Sequence, residues 1–245
     1  MDNPFMRTEL LLGSKAMSKL RESRVCIFGI GGVGSFAAEA LVRSGIGSIV
    51  LVDYDTIDIT NINRQIHANF NTIGRTKVEV MKERILEINP SIDIEIYNVR
   101  LEKSNIDELV SERYDYVVDA IDTVSSKLDL IEKCKNLSIP IISCMGAGNK
   151  LNPTSFKVGD IYSTSVCPLA KVMRYELRKR GIGDLKVVWS DEKPIKTNIE
   201  EKDRRKSSPG SVSFVPSVAG LIIASEVVKD LIDKEVNDGT SRFGY

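Results

Sequence analysis

The sequence predicts an α/β fold: a Rossmann-like, mostly parallel sheet with helices on both faces, plus a C-terminal extension completing the sheet. Three observations carry this. Short apolar runs alternate with helical periodicities, without a break, from Ser23 to Gly146. A glycine-rich turn, Gly29-Ile30-Gly31-Gly32-Val33-Gly34, follows the first apolar run directly. The chain has 245 residues, 42% of them hydrophobic and 28% charged, enough for one large domain with a well-buried core. Strands separated by helical patterns imply right-handed βαβ crossovers and parallel pairing.

Each element has its own signal. Arg24–Phe28 is a compact apolar run before glycines, the pattern of a strand buried on both faces. Gly34–Ser44 is helical, with Phe36, Ala40 and Leu41 on one side, and Ser48–Asp53 is a second core strand. Thr76–Asn89 carries Val78, Met81, Ile85 and Ile88 at helical spacing and is closed by Pro90. Ile92, Ile94 and Ile96 alternate at the strand period. Tyr114–Ile121 and Ile139–Met145 read as further core strands, with a helix between them near Lys127–Leu137. Beyond Gly148 the rhythm loosens: Pro168–Arg180 predicts a helix, Leu185–Trp189 a strand, and Val212–Pro216 leads into a last helix over Ser217–Ile232. Asp191–Ser208 is polar, mixed in charge and aperiodic, which predicts a mobile loop.

Composition excludes several function classes. Lys plus Arg and Asp plus Glu both number 34, so only a local patch could attract nucleic acid. Met1 to Leu12 lacks a long apolar core behind a basic start, and the apolar stretch at Val215–Ile223 is far too short to span a membrane. No secretory signal or membrane association is therefore expected. Cys26, Cys134, Cys144 and Cys167 stand singly, without Cys-x-x-Cys pairs. That argues against structural zinc and disulfides and fits a reducing cytoplasm.

The chemistry begins at the glycine turn. A Cβ at Gly29, Gly31, Gly32 or Gly34 would obstruct the tight turn or keep the backbone from a phosphate, and the helix N-terminus offers unpaired N–H groups to an anion. Asp53 closes the next strand, where a carboxylate can accept from ribose hydroxyls. To this point a dinucleotide-dependent dehydrogenase would look the same. A second set of residues separates the two: Thr60-Asn61-Ile62-Asn63-Arg64-Gln65, then Gly74-Arg75-Thr76-Lys77 at a helix start, then Asp119-Ala120-Ile121-Asp122-Thr123 at a strand end. Arg64 and Lys77 supply cations for a triphosphate, and Asp122 a hard oxygen ligand suited to Mg²⁺. Hydride transfer needs none of these three. Nucleotidyl transfer from ATP, which builds charge on departing pyrophosphate, needs all of them. Their retention also weighs against a non-catalytic nucleotide-binding regulator.

Together, Gly-x-Gly-Gly-x-Gly, Asp53-x-Asp55, Asn61-x-Asn63-Arg64-Gln65, Lys77 and Asp119-x-x-Asp122 resemble the ubiquitin-activating-enzyme-like superfamily of ThiF, MoeB and HesA, over roughly Arg7 to Met145. The resemblance implies that Gly32 and Thr60–Arg64 contact the nucleotide. It further implies that Asp53 holds the ribose, Arg64 and Lys77 the phosphates, and Asp122 the Mg²⁺. It also implies a homodimer in which Arg7, ahead of Leu10-Leu11-Leu12-Gly13, reaches into the partner subunit's site; no Arg-Phe-Gly-Gly-like run precedes Leu11. Ser35, Ala37-Ala38-Glu39-Ala40-Leu41, Ile66-His67-Ala68, Gly146-Ala147-Gly148 and Pro153-Thr154 are similar to the tRNA threonylcarbamoyladenosine dehydratase branch, which shares the absence of paired zinc cysteines. What that implies is adenylation, by ATP, of the carboxylate of threonylcarbamoyladenosine in tRNA, then ring closure with loss of AMP. Residues 1–150 would form the adenylating core and 151–245 the substrate-facing part of the same domain. Some relatives of this kind use a sulfur-relay partner of the cysteine desulfurase type. The alternative within the superfamily is adenylation of the C-terminal glycine of a ubiquitin-like sulfur carrier.

Other residues read more plainly. His67 is the only histidine, and packing or capping is expected of it ahead of general-base work. Cys167, before Pro168, is expected to be a passive thiol and Cys144 core packing. Asp119 is either a support for Asp122 or a ligand, and Asp55 either caps a turn or touches ligand. Lys171, Arg174 and Arg178 share one helix face, a solvated surface or, given a tRNA substrate, a phosphate contact.

Overall fold

The structure is a computed structural model, and it describes residues 3–196 and 209–233. Two short helices, α1 (Met6–Leu12) and α2 (Ser14–Glu22), precede the alternating core: β1 (Arg24–Phe28), α3 (Gly34–Arg43), β2 (Ser48–Val52), α4 (Lys77–Ile88), β3 (Asp93–Tyr97), α5 (Ile106–Leu109), β4 (Tyr116–Asp119), α6 (Val124–Asn136) and β5 (Ile141–Cys144). The C-terminal part adds β6 (Phe156–Asp160), α7 (Pro168–Lys179), β7 (Lys186–Ser190) and α8 (Pro216–Asp233). The seven strands form one sheet in the order β3-β2-β1-β4-β5-β7-β6. All neighbours are parallel except β6 and β7. The C-terminal part thus extends the sheet beyond β5, as expected.

Strand alternation sends side chains into two cores. Val25 and Ile27 of β1, Ile49 and Leu51 of β2, and Tyr116 and Val118 of β4 face one layer, closed by α2, α3, α4 and α8. Cys26, Phe28, Val50, Val52 and Val117 face the other, closed by α5, α6 and α7. Burial on both faces is why these strands read as unbroken apolar runs. Helix α3 turns Ala37, Ala38, Leu41 and Val42 inward. Ala40, expected on the core side, is half-buried and packs against that core, while Phe36, expected there too, is half-buried outside it. Helix α8 crosses α3 so closely that a Cβ on Gly220 would lie 2.4 Å from the Val33 carbonyl oxygen and 3.0 Å from Phe36 Cβ. Tyr116 Oη donates to Asp230 at 2.6 Å and Lys186 Nζ pairs with the same carboxylate at 2.8 Å, tying α8 to β4 and β7.

Of the loop expected over 191–208, residues 197–208 lie outside the described residues. The rest is anchored: Asp191 N donates to Ser155 O, Ile195 N to Asn149 O, and the Glu192 carboxylate accepts from the amides of Leu151 and Asn152. Among the described residues no helix is long and apolar enough to cross a membrane.

Candidate active site

The strand order reverses between β1 and β4, since the chain builds outward through β2 and β3 and then returns to β1's other side. In open α/β sheets ligands bind beyond the strand C-termini at such a point. There the structure opens a cleft of about 710 Å³, lined by the ends of β1, β2, β4 and β5 and by residues from the C-terminal part, among them Pro209, Ser211 and Pro216. That volume lies within the usual range for small-molecule sites.

The glycine turn is shaped by backbone contacts. Gly29 has φ 90°, and a Cβ there would lie 2.6 Å from the Ala120 carbonyl oxygen. A Cβ on Gly34 would come within 1.8 Å of the Gly29 carbonyl oxygen. These two glycines let the turn close against β4. Gly31 differs: its virtual Cβ meets nothing nearer than the Gln65 amide at 3.9 Å. The space it leaves belongs to the cleft, as a backbone approaching a phosphate requires. Gly32 packs between Pro216 and the Arg64 stem.

Asp53 stands at the end of β2 with both carboxylate oxygens engaged: Ile30 N donates at 2.6 Å and Asp55 N at 2.8 Å. The carboxylate thereby locks the glycine turn to its own strand. Burial pushes its pKa above the ordinary value, against the pull of the Lys77 ammonium and the two amides. Lys77, only 5% exposed at the start of α4, pairs with Asp55 at 2.6 Å. Arg64 reaches the cleft from the turn after Ile59–Asn61, held by the Thr60 carbonyl at 2.7 Å and Asn63 Oδ1 at 2.9 Å. Asn61 is spent on capping that turn, accepting from Asp58 N, while Asn63 donates to the Ser211 carbonyl. Of the two neighbours, Asn63 thus ties the turn to the C-terminal part.

The Asp119–Asp122 pair divides its work. Asp119 is fully buried, bound by Lys127 Nζ at 2.8 Å and by the Ser143 hydroxyl at 2.5 Å. Lys127, also fully buried, donates further to the carbonyls of Ile121 at 3.1 Å and Cys144 at 2.9 Å. One cation therefore holds the 119–123 turn against the end of β5, where Gly146, Ala147 and Gly148 line the cleft. Asp122 is exposed in the cleft, with the Thr123 hydroxyl its hydrogen-bond partner at 3.3 Å. No group of three or more His, Cys, Asp or Glu side chains suited to a metal occurs among the described residues. A lone accessible carboxylate is still the donor set Mg²⁺ accepts, since that ion keeps most of its waters and takes phosphate oxygens from the substrate.

Gly29, Gly31, Gly32, Asp53, Asp55, Asn61, Arg64, Lys77 and Asp122 all line this one cleft. Arg7 does not line it: it is exposed on α1, beside Leu10 and Leu11, each 80% exposed. His67 is 2% exposed, and neither ring nitrogen has a hydrogen-bond partner. Burial first, then Lys77 and Arg84, push its pKa down to about 4. Cys167 and Cys144 are buried, and burial pushes the Cys144 thiol up to about 12. Lys127 escaped the sequence reading because a buried lysine leaves no local mark. Tyr54 and Arg100 escaped it too. They flank the cleft with the guanidinium 5.4 Å from the ring centroid, and their signal was their position just after β2 and β3.

Comparison with known proteins places this geometry. The chain is 46% identical over 239 residues to a tRNA threonylcarbamoyladenosine dehydratase of Bacillus subtilis, covering 93% of this chain and 94% of that one. Among solved structures it is similar to the Escherichia coli tRNA N6-threonylcarbamoyladenosine dehydratase TcdA in complex with AMP, with a TM-score of 0.89, 35% identity and 96% of each chain covered. The same enzyme in complex with ATP aligns with a TM-score of 0.87 and 36% identity, again over 96% of each chain. The ThiF family model matches residues 5–243, and the chain belongs to the ThiF family.

Proposed function

We infer that this protein is an ATP-dependent tRNA threonylcarbamoyladenosine dehydratase. The observation that carries the reading is convergence. The glycine turn, Asp53, Arg64, Lys77 and Asp122 meet in one cleft, in a chain with 46% identity to a dehydratase of that name over nearly its whole length. ATP is the activating substrate, and one relative of this enzyme type, that of Escherichia coli, is solved both with AMP and with ATP bound.

In this scheme the free carboxylate of the modified adenosine attacks the α-phosphorus of ATP, and pyrophosphate leaves. An atom of the modification itself then attacks the activated carbonyl and expels AMP, closing a ring with net loss of one water. No acyl-accepting nucleophile from the protein is required, which suits a chain whose cysteines are all free and buried and a reducing cytoplasm. Gly31 leaves room for the phosphates, and Asp53 accepts from the ribose. Arg64 and Lys77 face the triphosphate, Lys77 exchanging Asp55 for a phosphate oxygen. Asp122 would hold Mg²⁺, which when bound neutralises charge on the departing pyrophosphate. Arg7 completes the site of a second copy in a homodimer, its exposed helix carrying the apolar Met6, Leu10 and Leu11. The test is mass spectrometry of nucleosides from tRNA bearing threonylcarbamoyladenosine, after incubation with enzyme, ATP and Mg²⁺. Loss of one water with stoichiometric AMP is expected. An unchanged nucleoside beside active adenylation of a ubiquitin-like carrier protein would overturn the reading.

A further inference from the structure

Helix α7 starts at the rim of the cleft. Leu169, in its first turn, lines the cleft, and a Cβ on Gly146 would lie 3.6 Å from the Cys167 sulfur and 3.8 Å from Leu169 Cβ. From there α7 runs outward for 12 residues, about 18 Å at 1.5 Å per residue. It buries Ala170, Met173 and Leu177. Opposite them Lys171, Val172, Tyr175, Arg178 and Lys179 are all exposed. At about 100° per residue they form a stripe roughly 120° wide with Tyr175 at its centre.

The stripe joins cations to aromatic rings. Lys179 Nζ lies 4.1 Å from the centre of the Tyr175 ring, which is 60% exposed, and the Arg178 guanidinium lies 5.0 Å from the centre of the Tyr162 ring. The acid beside them, Glu176, is half-buried and pairs with Lys179 at 3.3 Å. Neighbouring cations are committed elsewhere. Arg180 pairs with Asp129 and Glu132 of α6. Arg174 turns inward, donating to the backbone carbonyl and the hydroxyl of Thr164. Arg174 therefore holds the turn before α7, although the sequence placed it with Lys171 and Arg178.

We propose that the outer stripe of α7, Lys171, Tyr175, Arg178 and Lys179, is the surface that binds the single-stranded RNA flanking the reacting nucleotide. This rests on the dehydratase reading. Exposed aromatic rings stack unpaired bases, and interleaved cations hold the phosphates between them, with little regard to sequence. Tyr175 lies six residues beyond Leu169, about 9 Å along the helix axis. That distance is within reach of the nucleotides next to one whose modification occupies the cleft. The charge matches as well: a chain of zero net charge displays here a basic stripe fitted to a polyanion.

The test measures KM, kcat and the salt dependence of binding for tRNA bearing threonylcarbamoyladenosine, with AMP binding as the control. Tyr175→Ala should raise KM for tRNA about tenfold, since stacking one base typically contributes that much, and the double variant Lys171→Ala/Lys179→Ala should raise it at low salt through the loss of two phosphate contacts. AMP affinity and kcat should hold. Tyr175→Phe should restore the KM. The double variant should flatten the slope of log binding constant against log salt by about 1.4, the equivalent of two phosphate contacts on a single strand. Arg174→Ala should lower thermal stability and leave that slope unchanged. A wild type that processes tRNA while Tyr175→Ala and the double variant keep its KM and slope overturns the α7 assignment alone. A wild type that leaves the nucleoside unchanged overturns the dehydratase reading and this assignment with it. Loss of binding to an acidic carrier protein, with tRNA binding intact, assigns the stripe to a protein and overturns the proposal.

Discussion

Lys127→Met tests how the cleft is held in shape. Methionine keeps the length and packing of the lysine stem but removes the ammonium. In the fold that ammonium satisfies the Asp119 carboxylate at 2.8 Å and the carbonyls of Ile121 and Cys144, all at a position with no solvent exposure. Two donors remain on Asp119, the Ser143 hydroxyl and the Ile121 amide, but neither offsets the charge. Breaking a buried ion pair on one side typically costs about 3–5 kcal/mol, because the other charge stays buried without its partner. For a chain of this size that corresponds to a fall in Tm of roughly 6–20 °C. Removing both charges, in Asp119→Asn/Lys127→Met, should recover more than half of the loss, since the desolvated carboxylate disappears along with the lysine. Urea unfolding of wild type, both single variants and the double closes the cycle. The single variant should also bind AMP more weakly, because the 119–123 turn and the end of β5 share this one cation. A loss under about 1 kcal/mol, or a double variant no more stable than Lys127→Met, would refute the reasoning.

Three further outcomes are expected. Asp122→Asn should cut AMP formation about a hundredfold or more, in line with losing a preorganised electrostatic contact, while Tm barely moves because the side chain is exposed; near-normal turnover would remove Asp122 from the metal role. Gly34→Ala should abolish folding, since its Cβ would fall 1.8 Å from the Gly29 carbonyl oxygen, whereas Gly31→Ala should fold normally and lose nucleotide affinity by isothermal titration, its Cβ intruding only on the cleft. His67 sets a pH dependence: its folded pKa of about 4 lies below the unfolded value of 6.5, so the unfolded chain takes up the proton first as pH falls. Stability should drop between pH 6.5 and 4 and level off below that. By pH 5 the loss should be on the order of 2 kcal/mol relative to His67→Gln, and parallel pH profiles for the two proteins in urea would contradict the burial argument.

The parts of this fold legible in the sequence are those set by local chemistry. Core strands β1, β2, β4, β5 and β7 appear as apolar runs with boundaries within a residue or two of those observed, because burial on both faces leaves no polar alternation. The glycine turn and the carboxylates at the ends of β2 and β4 were legible for the same reason: a left-handed φ and a strand terminus are properties of a few consecutive residues. Strand β6 was not, since an antiparallel edge strand reading Phe-Lys-Val-Gly-Asp is only partly buried and lacks a strong strand composition. Helices α1 and α2 were also missed, α1 burying no residue and α2 only Met17 and Leu20. Tertiary structure alone decided the partners. Asp119 and Asp122 differ by three positions, yet one is sealed beneath Lys127 and Ser143 while the other faces the cleft, because β4 lies between β1 and β5. Asp55 finds Lys77 across 22 residues, and Arg174 leaves its helical stripe for Thr164. Periodicity and turn chemistry are written in neighbouring residues. Which charge meets which depends on where the crossovers set the elements down, and only the packed sheet determines that.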